Sequence, residues 1–321
     1  MMKESVKGYL LCLFGVFTWS FSELIVVILA DTVGATSLTF YRFFFGGLFC
    51  FLIMALQKDT KGTTAIFKKN KRLVLIASMF GLGFSNILYF LGTAVIGDAG
   101  VSAAIYTSYP LFICIYGALI LGEKSNMPRK LIGLVIGFTG VLILITNFNL
   151  LDIFGSKNIL GKLLVLLGAG IWSLYSVLGK KIFQRTPEVS NIEIKWTTLS
   201  FLLSCVPTLI ILTFTPELGS FFQHSLFSWS LIAFLAVFGS ALGLYAFFVG
   251  IKKIEVTHGI SLALLKPIMA SILSFFILGK VPQPALYVSI PLVSIAVILI
   301  NWKGKREKIE TVCETELEGY L

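Results

Sequence analysis

A chain of 321 residues in which 57% are hydrophobic and 13% charged departs far from the balance of soluble domains, about half apolar and a quarter charged. It reads as a membrane protein. The formal charge of +10 does not point to nucleic acid, because the basic residues gather in short clusters between apolar runs, where they act as orientation signals and headgroup contacts.

A helix of about 20 residues crosses a hydrocarbon core of about 30 Å, and backbone polar groups in lipid must be satisfied within the segment. On that basis the apolar stretches predict ten spans: 8–29, 33–56, 73–95, 99–121, 129–148, 161–182, 191–214, 228–250, 256–278 and 284–302. The first is longer than a signal-peptide core and has no convincing cleavage site, so it is expected to stay as a helix. It carries GVFTWSFSE, with Trp19 one turn before Glu23, and span 2 carries Arg42 in LTFYRFFFG. Glu23 and Arg42 are about equally far from the short connection between their spans, which puts them at similar depth and lets them pair. A buried carboxylate with raised proton affinity suits proton coupling, while an adjacent arginine pushes the other way.

Span 3 places Asn86 and Tyr89 at depth, where polar groups need partners. Asp98 falls in the next connection and needs no role. In span 4, Tyr106 and Tyr109 share a face with Ser102. In span 5, GLVIG (133–137) followed by Gly140 puts small residues on one face, which means close helix packing, either within the monomer or across a homodimer. Span 6 carries Trp172. Glu193 and Lys195 of span 7 are close enough to the cytoplasmic end to snorkel.

Span 9 contains LALLKPIMASILSFFIL, with Lys266 before Pro267. Lys266 lies about ten residues in, or roughly 15 Å, where a charge costs about 2.5–3.5 kcal/mol even on the gentler insertion scale. Gly259, Ala263, Lys266, Ala270 and Ser274 form one helical stripe of small or polar residues, expected to line a cavity. The remaining stretch, 303–321, is a charged cytoplasmic tail expected to be disordered.

With the chain starting inside, the basic clusters between even and odd spans and at both ends fall on one side, and only Lys157, Lys162 and Lys280 on the other. That bias puts both termini in the cytoplasm of a multi-pass protein of the cell (inner) membrane, taking a prokaryotic source. Cys12, Cys50, Cys114 and Cys205 lie in spans and Cys313 in the tail, with no CxxC pair, and His224 and His258 are far apart. Neither a disulfide framework nor a metal site is indicated, and no cofactor is expected.

The chain also aligns with itself. GVFTWSFSE (15–23) recurs as GAGIWSLYS (168–176), matching Trp19 with Trp172 and Ser20 with Ser173. YPLFICIYGALILGE (109–123) aligns with KPIMASILSFFILGK (266–280), so Tyr109 matches Lys266, Pro110 matches Pro267 and Glu123 matches Lys280. Each repeat, 1–152 and 153–302, holds an odd number of spans, so the second enters the bilayer inverted. Inverted repeats characterise secondary transporters with a midplane site between the halves.

The repeated Trp-Ser, the LTFYRFFFGGLFCFLIM stretch with Arg42, and VSAAIYTSYPLFICIYGALILGEK followed by LIGLVIGFTGVLIL resemble the EamA-like family of the drug/metabolite transporter superfamily. The resemblance covers nearly all of residues 8–302. It implies an all-α membrane protein of ten transmembrane helices, a central cavity shared by two bundles, and export or exchange of small metabolites. Lys280 stands where the family usually carries a glutamate, and Lys266 where an uncharged or acidic residue commonly precedes the proline.

The expected function is therefore alternating-access transport or export of a small polar metabolite, an amino acid or related zwitterion. Lys266 and Arg42 would engage a carboxylate and Glu23 an amino group or a coupled proton. Tyr109, Tyr106, Tyr89, Trp19, Trp172 and Asn86 would hold the body. The alternative is an organic-anion or phosphorylated-metabolite exchanger in which Lys266, Arg42 and Lys195 face the cavity and Glu23 is their counter-ion. Phosphate recognition favours clustered arginines, and one arginine at depth argues for the first reading. The spans hold no HExxH, GxSxG or phosphate-binding loop, so no enzyme is expected.

Overall fold

The computed structural model describes residues 4–29, 32–96, 105–124, 126–146, 148–149, 159–279 and 284–302. Asp98, Ser102, Lys280, Cys313 and the tail lie outside these, and of Glu23 only the backbone is described. All regular structure in the described residues is helical. Contiguous segments merge into α1 (Glu4–Leu29), α2 (Ala35–Leu56), α3 (63–96), α4 (Tyr109–Leu121) and α5 (Met127–Thr146). They continue as α6 (Ile159–Arg185), α7 (Ile192–Leu212), α8 (Leu226–Lys253), α9 (256–278) and α10 (Ala285–Asn301). Five of them, α2, α3, α6, α7 and α8, are long and apolar enough to cross a membrane by length and composition.

The boundaries follow local chemistry. Gly62 at φ +96° turns the chain from α2 into α3 in a conformation L side chains rarely adopt. Helix α3 begins ten residues ahead of the predicted span because a basic amphipathic stretch precedes it, and Asn70 (φ −126°, ψ 27°) kinks the helix where that stretch meets the apolar run. Helices α3 and α8 each contain a π-helical segment, Ile76–Phe84 and Leu235–Leu242. Such wide turns are rare and concentrate at functional sites.

The helices pair in a regular way. Helix α1 packs on α8 and α9, while α6 packs on α3 and α4; α2 packs on α7 and α5 on α10. Exchanging each helix n with n+5 maps this set of pairs onto itself. Close approaches repeat as well: a Cβ on Gly15 would lie 2.7 Å from the Gly243 carbonyl oxygen, and one on Gly168 would lie 2.9 Å from that of Ser85. With no apolar drive between helices in lipid, small residues that let backbones approach supply the packing.

The glycine face of α5 is filled within the chain. Cβ atoms on Gly133, Gly137 and Gly140 would meet Ile300 at 2.7 Å, Leu264 at 2.6 Å and Leu292 at 2.9 Å. The homodimer reading of that face therefore loses its surface.

One end of the bundle is held by ion pairs. Lys195 Nζ donates to Asp59 Oδ1 and to the Ser190 carbonyl, both at 2.7 Å, and Asn191 donates to Asp59 Oδ2 at 2.7 Å. Lys252 pairs with Glu193 at 2.7 Å and Lys69 with Glu188 at 3.0 Å. Lys253 pairs with Glu4, and Lys130 with Glu255. Lys195 and Glu193 thus do not snorkel: Lys195 is 0% exposed, and both groups are neutralised by partners outside their own helix. Lys130, expected at the headgroups, is 1% exposed for the same reason. At the opposite end the Glu217 carboxylate accepts from the Thr36 and Ser37 amides, at 3.3 and 2.7 Å, and satisfies orphan donors at the start of α2.

The links make stability acid-sensitive. Lys195, then Asn191, holds the Asp59 carboxyl below its usual range; Glu188 is lowered by its own backbone amide and then by Lys69. A carboxyl whose folded pKa is depressed contributes stability above its unfolded value and loses it as pH falls through the folded one. The melting temperature of the detergent-solubilised protein is therefore expected to stay level from neutral pH to about 5, then fall below about 4. A melting temperature that rises on acidification through that window contradicts the assignment.

Candidate functional site

A chamber of about 70 Å³ lies between the paired helices, room for roughly five waters at 10–15 Å³ each. Trp19 of α1, Arg42 and Phe43 of α2, and Leu82, Asn86, Tyr89 and Phe90 of α3 line one part. Tyr106, Tyr109 of α4, Trp172 of α6, Leu244 of α8 and Lys266 of α9 complete it. Of the residues that the amino-acid reading assigns to solute binding, all line this chamber except Glu23, whose side chain lies outside the described residues.

The rings form a continuous wall. Trp19 and Trp172 meet edge to face, centroids 6.0 Å apart, and Trp172 meets Tyr109 at 4.8 Å. Tyr109 meets Tyr106 at 5.7 Å, and Tyr106 meets Tyr89 at 4.2 Å. Edge-to-face and offset ring pairs are favoured by their quadrupoles, so the wall keeps its shape without a ligand. Asn86 Nδ2 donates back to the Leu82 carbonyl at 2.8 Å, which fixes the amide's rotamer.

Two cations reach the chamber from different halves of the sequence. Arg42 Nε donates to Ser240 Oγ at 3.0 Å, and its guanidinium carbon lies 5.1 Å from the Phe43 ring centroid. Serine 240 is fully buried on the π-helical segment of α8, so the guanidinium plane is held from the side away from its own helix. Lys266 opens the last α-helical segment of α9, and Ser20 Oγ donates to its carbonyl at 3.3 Å. A guanidinium and an ammonium beside aromatic walls suit a carboxylate with an organic body.

The predicted stripe on α9 needs correction. Gly259 does not line the chamber: a Cβ there would lie 2.7 Å from Ile251 and 2.9 Å from Cys12. Ala263 is fully buried in the main core, and the side chains of Ala270 and Ser274 lie outside the described residues. The cause is a tight 3-10 turn over Leu262–Leu265. Three residues per turn instead of 3.6 advances the helical phase by roughly 80° over four residues, so Lys266 leaves the face that Gly259 occupies.

The sequence reading missed Ser240, Phe43, Leu82, Phe90 and Leu244. The apolar members are indistinguishable from packing residues in a chain with 29 phenylalanines. A polar signal existed for Ser240 alone, the one hydroxyl in LAVFGSAL.

This arrangement, an all-helical membrane fold around a partly open amphipathic chamber, defines a class of small-solute carrier. The EamA-like transporter family model matches residues 6–146 and 159–302, and the chain belongs to that family. It is 29% identical over 209 residues to "Uncharacterized transporter YyaM" of Bacillus subtilis (strain 168), covering 65% of this chain and 66% of that one, just under two thirds. It is 26% identical over 283 residues to an "Uncharacterized transporter" of Archaeoglobus fulgidus, covering 86% of this chain and 91% of that protein. One solved crystal structure superposes with a TM-score of 0.73 at 18% identity over 92% of this chain and 96% of that one, a likeness of fold alone. The protein is thus a multi-pass membrane transporter.

Proposed function

We propose that the chain is a ten-span secondary transporter of small carboxylate-bearing metabolites, amino acids or related zwitterions, working by alternating access. One observation carries this reading: Arg42 and Lys266, from opposite halves of the sequence, line the same aromatic-walled chamber. Charges at depth in a membrane helix are costly and face water-filled paths or partners, and a chamber shared by two halves is where a rocking motion changes access. The n to n+5 exchange of helix pairs supports two inverted five-helix repeats, 1–152 and 153–302. In this reading both termini face the cytoplasm. The two cations hold the carboxylate, the rings and Asn86 the body, and Glu23 takes an amino group or a coupled proton.

The organic-anion reading keeps one argument, the presence of both cations in the chamber. It loses another, because Lys195 is occupied by Asp59 at the ion-paired end and does not reach the chamber. Counterflow in proteoliposomes decides between them. Vesicles preloaded with serine, threonine or phenylalanine are expected to accumulate the labelled amino acid, and vesicles preloaded with glucose 6-phosphate are not. Accumulation with the sugar phosphate or a dicarboxylate alone overturns the amino-acid reading.

A further inference from the structure

The repeated Trp-Ser puts both indoles in the chamber wall, yet the serines beside them line no part of it. Ser20 and Ser173 are fully buried. Each hydroxyl donates back one turn along its own helix, Ser20 to the Val16 carbonyl at 3.0 Å and Ser173 to that of Ala169 at 2.8 Å. Back-bonding of this kind is the ordinary fate of a buried helical serine and by itself means nothing. The second acceptor is what sets these two apart. The single proton of each hydroxyl is shared with a second carbonyl in a bifurcated bond, that of Lys266 at 3.3 Å from Ser20 Oγ and that of Tyr109 at 3.0 Å from Ser173 Oγ.

Lys266 and Tyr109 are matched positions of the two repeats, each directly before a proline, and both side chains line the chamber. Pro110 stands in the first turn of α4, where its missing N–H removes no helix bond, and Pro267 follows the 3-10 turn in α9. In both halves the serine of the signature helix reaches that pre-proline turn. It does so across the chain, 246 residues away for Ser20 and 64 for Ser173.

We infer that Ser20 and Ser173 are a matched pair of positioning residues: each holds the register of the pre-proline turn that presents a chamber residue, Ser20 for Lys266 and Ser173 for Tyr109. Their effects are separable. Ser20 sets where the ammonium stands, and Ser173 sets the tyrosine ring that meets Trp172. The consequence for solute binding rests on the transport reading above, whereas the positioning itself does not.

Hydrogen–deuterium exchange read by mass spectrometry on the purified full-length chain tests the pairing without any substrate. Losing one shared hydrogen bond is expected to speed local opening about fivefold. Ser20→Ala is expected to accelerate exchange in peptides covering 262–272 and leave 105–116 unchanged. Ser173→Ala is expected to do the reverse, and Ser20→Thr and Ser173→Thr, which keep the hydroxyl, to restore the wild-type rates. Acceleration of both regions by either variant would mean general loosening and overturn the proposal, as would no change in either. A wild-type chain that exchanges no amino acid removes the transport reading, while the crossed pattern still decides this one.

Discussion

Replacing Lys266 with glutamine is expected to lower amino-acid counterflow by about tenfold to a hundredfold, the equivalent of one lost hydrogen bond to a charged group. The chamber keeps its aromatic wall and Arg42, so some exchange remains. Glutamine keeps much of the side chain's length and its hydrogen-bonding capacity, so Lys266→Gln is expected to reconstitute at wild-type yield. Reduced exchange at wild-type yield places the effect on solute binding, and reduced exchange with a lost yield would make Lys266 a structural residue. Unchanged exchange would remove it from the site.

Breaking the Lys180–Glu123 pair is expected to destabilise the ion-paired end strongly. Lys180 Nζ donates to Glu123 Oε1 at 3.0 Å and to the Ile254 carbonyl at 2.6 Å, and the same Oε1 accepts from the Val256 amide at 3.2 Å. The two side chains are only 13% and 10% exposed, and among the described residues Glu123 Oε2 has no hydrogen-bond partner. One carboxylate thus joins the end of α4, the middle of the chain at α6 and the first turn of α9. Lys180→Met leaves that carboxylate buried without its cation and should cost about 3–5 kcal/mol. The double replacement Lys180→Met, Glu123→Leu removes both charges and should recover most of the loss, because an apolar pair of similar volume is often as stable as the ion pair. Thermal unfolding of the two variants in the same detergent measures both. Equal losses in the single and double variants would show that packing at this joint, and not the charge pair, holds it.

The sequence exposed the chamber more fully than it exposed the joints. Trp19, Trp172, Arg42, Asn86, Tyr89, Tyr106, Tyr109 and Lys266 were recognisable because a polar or amphipathic group inside an apolar run has few reasons to be there, and the chamber gathers all of them. Pairs such as Lys130–Glu255 and Lys195–Asp59 were not recognisable. Their members stand 125 and 136 residues apart, in clusters whose composition fits headgroup contact equally well. The glycine face of α5 shows the same division: close packing was readable from spacing, but the partner, α10, was not. Periodicity failed on α9 because it assumes a constant 100° per residue, and the 3-10 turn before Lys266 breaks that assumption.

That tight turn also decides which changes the chain tolerates. The side chains of Leu262, Ala263 and Leu264 are buried and apolar, so swaps there that conserve volume come at modest cost. A change in their number does not. Adding or deleting one residue there would swing the ammonium, and every α9 side chain beyond it, by roughly 100° around the helix axis and point Lys266 away from the solute path. The stretch acts as a fixed-length spacer between the buried start of α9 and the chamber.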